Sequence, residues 1–179
     1  MVLTVLNARP EPPSNFRMGQ QDFPSPVALE TTPVPSIMPV LDRPAPEVAV
    51  TTLTGETRRL SDFSGQVVIL SFWATWCPPC LEEMPMLQSY AVAHPDVPII
   101  AITDSYDGQT LADIQNFIAE HQLNDLIFGV DASRRLINAF RVVNLPMNFV
   151  IDRDGVVRFR QIGAVTKEDL DYYLSALEG

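Results

Sequence analysis

Two cysteines three positions apart, in Trp73-Ala74-Thr75-Trp76-Cys77-Pro78-Pro79-Cys80, constrain this chain more than any other feature. The run before them, Val67-Val68-Ile69-Leu70-Ser71-Phe72, is apolar and β-branched, which reads as a buried strand. The segment after them, Leu81 to Val92, places Leu81, Met84, Leu87 or Gln88, and Ala91 at helical spacing. The cysteines therefore sit at a strand-to-helix turn, Cys77 just before the helix and Cys80 in its first turn.

That position has a chemical consequence. Only the thiolate attacks a disulfide, and a free cysteine holds its proton to about pH 8.5. A helix N-terminus offers about half a positive charge and unpaired N–H groups. Pro78 and Pro79 carry no N–H, so the Cys80 N–H is the nearest donor left, and only a mild lowering of the Cys77 pKa is expected. Two plainer uses of the motif compete. A zinc site needs four ligands, and His94 and His121 are not at ligand spacing from this pair. A structural disulfide across so short a loop constrains little of the unfolded chain. Redox chemistry fits a C-x-x-C beside a β/α pattern better, provided solvent reaches the sulfurs.

The string Phe72-Trp-Ala-Thr-Trp-Cys-Pro-Pro-Cys-Leu-Glu-Glu-Met-Pro85 resembles the TlpA/ResA branch of the thioredoxin superfamily, related to AhpC/TSA proteins. The resemblance runs from Ala45 to Gly179. It implies a thioredoxin-like three-layer α/β/α fold, with a mixed central sheet, an N-terminal β-hairpin and a central βα insertion. It also implies an extracytoplasmic thiol-disulfide oxidoreductase without a cofactor or metal, working through a Cys77–Cys80 disulfide.

Residues 1–45 read as a proline-rich flexible linker or tether, and 46–179 as the domain. Nine of the sixteen prolines precede Ala45, and no helical or alternating period runs through the stretch, so it cannot bury much. The net charge of −10 argues against nucleic acid and anionic lipid surfaces. No stretch approaches the ~18 apolar residues of a membrane span, and Met1–Leu6 is too short for a signal core. An anchor upstream of this sequence is the expectation, with a cytoplasmic chain as the alternative.

Along the domain, 47–53 and 56–60 read as a hairpin around Thr54-Gly55. Ile99–Thr103 is the next buried strand. Thr110 and Asp113 cap a helix with Leu111, Ile114, Phe117 and Ile118 inward. Ile127–Asp131 reads as a short strand and Ser133–Arg141 as a short helix. Met147–Ile151 and Val156–Arg160 flank an Asp154-Gly155 turn. Thr166 and Asp169 cap the last helix.

Further site residues follow from the resemblance. Leu145-Pro146 matches the family's cis-proline segment, which faces the active-site turn, so Pro146 joins the two cysteines as a catalytic candidate. Where the family favours a small residue before that proline and two threonines after it, this chain has Leu145, Met147 and Asn148. Leu145 would pair with a client strand through its backbone. Trp76, Pro78 and Pro79 complete the docking surface, and Trp73 belongs to the core. Thioredoxin's buried aspartate is replaced by Ser71. The loop after the second core strand offers Asp104 and Asp107 as proton acceptors. Glu82 and Glu83 read mainly as a solvated helix face, with tuning or docking as the other use. His94 and His121 read as surface residues.

The expected function is reduction of disulfides in extracytoplasmic clients, for example in cytochrome c maturation. The expected partners are such clients and a membrane or soluble thiol reductant, with the protein itself a monomer. The rivals are a copper-handling or redox-inactive docking module on the same fold and a peroxiredoxin-like peroxidase. The peroxidase pattern requires a proline and a threonine at set positions before the cysteine; Thr75 is one step too close and the proline is missing.

Overall fold

Strands too apolar to face water on either side must lie between two layers, and three strands here are buried at every residue. They are β4 (Val68–Phe72), β5 (Ile99–Thr103) and β7 (Met147–Ile151). The computed structural model describes residues 41–47, 49–104 and 108–178. Around the central strands stand β1 (Arg43–Pro44), β2 (Ala49–Thr52), β3 (Thr57–Arg59), β6 (Ile127–Val130) and β8 (Val156–Ile162). They form one eight-stranded mixed sheet in the order β1-β8-β7-β4-β5-β6-β2-β3. β4, β5 and β6 run parallel, and every other pairing is antiparallel.

Helices α1 (Pro78–Ala93) and α2 (Leu111–Glu120) are the crossovers between the parallel strands. Right-handed crossovers taken in one direction along a sheet fall on one face, and these do. Their buried residues Met84, Leu87 and Ile114 share a cluster with Leu170 of α4 (Lys167–Leu177). The opposite face is covered by a 3-10 turn, Leu60–Phe63, and by α3 (Arg135–Ala139). The result is the three-layer α/β/α arrangement anticipated above.

Local signals act as expected. Thr110 with Asp113 and Thr166 with Asp169 form reciprocal capping boxes on α2 and α4. Between β7 and β8, Gly155 N–H donates to the Asp152 carbonyl at 2.9 Å and Gly155 is left-handed at φ 75°. Gly129 admits the leading hairpin: a Cβ there would lie 2.0 Å from Val50 Cγ2, so β2 could not close on β6 over any larger residue. The sheet also takes in β1, just upstream of the domain start expected at Pro46; it pairs with Val156 and Val157. Residues 1–40, most of the proline-rich stretch, lie outside the described residues.

Candidate active site

β4 ends at Phe72, and the chain turns through Trp73–Trp76 into α1. Cys77 is the N-cap of that helix in extended conformation, and Pro78 and Pro79 fill its first two positions. A proline is tolerated there because those N–H groups have no helical partner in any case. Cys77 and Cys80 are joined as a disulfide with 5.3 Å between their Cα atoms. The Cys80 N–H, expected to be the donor nearest the Cys77 sulfur, instead donates to the Cys77 carbonyl at 3.0 Å. The helix start therefore supplies the Cys77 sulfur with even fewer donors than the two prolines implied.

The pair is more closed than expected. Cys77 keeps 3 % of its surface and Cys80 none. Trp76 is 50 % exposed beside them, and Pro78 and Pro79 are exposed, while Trp73 is buried against Phe117 and Phe128. Of the two cysteines, Cys77 is the one that keeps any surface.

Antiparallel pairing sets Phe72 opposite Met147. Leu145-Pro146 is thereby carried alongside the turn that leaves β4, and the bond between them is cis. Pro146 is buried and Leu145 half-buried. The cysteines, Leu145 and Pro146 thus come to one end of the sheet.

The acidic candidates divide differently. Asp104, at the end of β5, is buried and paired with Arg134, Nε to Oδ2 at 3.4 Å. Asp107 lies outside the described residues. Glu82 is exposed as expected. Glu83 is not on a solvated face: it is 3 % exposed, within the buried stripe Cys80, Glu83, Met84, Leu87, Tyr90 and Ala91 of α1. Its Oε1 accepts from Asn148 Nδ2 at 2.7 Å and from the Val165 N–H at 3.1 Å. Its Oε2 is buried without a hydrogen-bond partner, as are Asn148 Oδ1 and Ser71 Oγ. Burial pushes the Glu83 carboxyl up from its ordinary 4.5 to about 7, against the opposing pull of those two donors. The sequence concealed this because a glutamate beside a second glutamate early in a helix fits a solvated face equally well. The one available signal was spacing, since position 83 falls on the same stripe as Cys80, Met84 and Leu87.

Gln109 was also missed. Its buried side chain accepts at Oε1 from the Thr75 N–H and Thr75 hydroxyl, both at 3.0 Å. Its Nε2 donates to Thr103 Oγ1 at 2.6 Å and to the Asp104 carbonyl at 2.7 Å. It ties the approach to the cysteines to the end of β5. Among the described residues no cluster of three His, Cys, Asp or Glu side chains could hold a metal, and no helix is long and apolar enough to cross a membrane.

Sheet order, crossover helix and cysteine turn together define a thioredoxin-like protein. The AhpC/TSA family profile matches residues 41–160, and the chain belongs to that family. It is 34% identical over 137 residues to the thiol-disulfide oxidoreductase ResA of Bacillus cereus, covering 76% of this chain and 78% of the relative. Among solved structures it resembles a thiol:disulfide interchange protein DsbE of Chlorobium tepidum, with TM-score 0.69 and 26% identity over 78% of this chain and 99% of that one. It also resembles the exposed lipoprotein thioredoxin of Streptococcus pneumoniae, with TM-score 0.67 and 28% identity over 73% of this chain and 99% of that one. The chain is a TlpA/ResA-like thiol-disulfide oxidoreductase, and its partners are proteins bearing thiols or disulfides.

Proposed function

We propose that the protein is a reductant of client disulfides, with Cys77 as nucleophile and Cys80 as resolving thiol. The observation that carries this is the Cys77–Cys80 disulfide at the head of α1, with surface left only on Cys77. In the dithiol form, the Cys77 thiolate attacks one sulfur of the client disulfide. That bond breaks, one client sulfur leaves as a thiolate, and a Cys77–client disulfide forms. Cys80 then passes its proton to a base and attacks Cys77 Sγ. The second client sulfur leaves, and the Cys77–Cys80 disulfide remains with two electrons transferred to the client. A thiol reductant returns the pair to the dithiol.

The base we assign is Glu83. It lies one helical turn beyond Cys80 on the same face, and its pKa of about 7 suits proton exchange near neutrality. Asp104 serves less well, because its carboxylate is paired with Arg134. Leu145 and Pro146 lie where an extended client segment would dock, Leu145 through its backbone, with Trp76, Pro78 and Pro79 as the opposite wall. Such docking answers the small exposure of Cys77.

The donor-poor start of α1 stabilises the Cys77 thiolate weakly. That disfavours the dithiol and favours a reducing potential, nearer thioredoxin's roughly −270 mV than the roughly −120 mV of DsbA. We place the clients outside the cytoplasm, apocytochrome c haem-binding cysteine pairs among them. The likeness to an exposed lipoprotein supports that location, with the proline-rich sequence upstream of β1 as the tether. The test is turnover of insulin disulfides with dithiothreitol. Activity that disappears in Cys77→Ser supports the reading, and activity unchanged by that substitution overturns it.

A further inference from the structure

Glu83 is held from one side only. Both of its donors, Asn148 Nδ2 and the Val165 N–H, converge on Oε1. Asn148 is itself fixed, since Nδ2 also reaches the Gly163 carbonyl at 3.3 Å and its β7 backbone pairs with Ser71 of β4. Both strand residues point toward α1, so a buried amide, a buried hydroxyl and a buried carboxyl share one patch beneath the helix. A proton binds the carboxylate oxygen that has no donor, and here that oxygen is Oε2. The arrangement therefore decides which oxygen takes the proton and how readily it does so.

We propose that Asn148 is the positioning residue of the proton acceptor: by donating to Glu83 Oε1 it leaves Oε2 to receive the Cys80 proton, and it sets the pH at which resolution proceeds. This rests on the reading of Glu83 as the base. Other groups do not compete for that role. From α1 the titratable neighbour one turn away is Cys80, and Glu82 is exposed. From β4 and β7 the facing groups are the neutral Ser71 and Asn148. From β8, Arg160 is exposed. From the start of α4, Lys167 pairs with Asp171, Asp169 bonds back to Thr166, and Glu168 is exposed.

The experiment follows the decay of a Cys77–client mixed disulfide against pH, in the full chain, in two Asn148 variants, in Glu83→Gln, and in each Asn148 variant combined with Glu83→Gln. In the wild type the rate rises through a midpoint near 7, where Glu83 loses its proton. Asn148→Leu removes a donor to the charged carboxylate and moves the midpoint up by about one unit. Asn148→Ala, which removes the same donor with less bulk and adds no titrating group, moves it up in the same direction and guards against Asn148→Leu failing to fold. In a Glu83→Gln background neither substitution changes the profile, because the group on which Asn148 acts is gone. Midpoints that stay at the wild-type value in both Asn148 variants, or that move equally with Glu83→Gln present, overturn the proposal while Glu83 remains the base. A Glu83→Gln protein that keeps the wild-type profile overturns the reading of Glu83 itself, and the proposal with it.

Discussion

The two faces of the central sheet are built from alternate residues of the same strands, yet they are chemically unlike. The face under α3 carries Phe72, Phe140 and Phe149, whose ring centroids lie 5.0–5.9 Å apart, with Val68, Leu70, Ile100, Ile102 and Ile151 around them. The face under α1 carries the disulfide. It also carries Ser71 Oγ, Trp73 Nε1, Glu83 Oε2 and Asn148 Oδ1, all buried without partners. Burying an unpartnered polar atom costs on the order of 1–3 kcal/mol, so the α1 face holds its site at a cost that the apolar packing on both faces of the sheet offsets. Period-two alternation is what lets one strand serve both ends.

If this division holds, substitutions on the two faces separate activity from stability. The largest effect is on the α1 side: Cys77→Ser lowers insulin reduction to the uncatalysed background while the chain remains folded by circular dichroism. Next comes Phe149→Ala on the far face, which destabilises by about 3–5 kcal/mol in urea unfolding. Its disulfide-exchange rate, measured per folded molecule, stays near wild type.

Glu83 connects the two quantities. Its folded pKa of about 7 lies above its ordinary 4.5, so the folded state holds the proton more tightly than the unfolded one. Its contribution is therefore complete below about pH 4.5 and is lost as pH rises through 7. Unfolding free energy should fall by up to about 3 kcal/mol across that window, and Glu83→Gln should remove that slope. Smaller effects test the scaffold. Gly129→Ala forces a methyl against Val50 and costs about 1–3 kcal/mol, and Val50→Ala added to it recovers part of the loss. Thr166→Ala removes one capping box and lowers stability by about 1 kcal/mol, without moving the pH profile of exchange.

Most of the scaffold was legible because its signals are local. The strands β4, β5 and β7 are nearly continuous apolar runs, the caps of α2 and α4 join residues three positions apart, and the cysteine turn announces itself. What escaped depends on contacts distant in sequence. Gln109 meets Thr75 across 34 positions and Glu83 meets Asn148 across 65. Neither pairing leaves a trace in the spacing around either residue. Strand β1, at two residues, is too short to show a period. Asn148 could be read as a departure from the family's threonines, but the partner that gives it meaning sits on α1.

The central claim is that electrons leave through Cys77 and that Cys80 closes the exchange. Cys80→Ala, reduced, mixed with a peptide disulfide and quenched with acid, tests it directly by mass spectrometry. A stable adduct mapped to Cys77, which the wild type resolves within the same interval, is the predicted result. No adduct at Cys77, or an adduct that clears as fast without Cys80 as with it, would contradict the account.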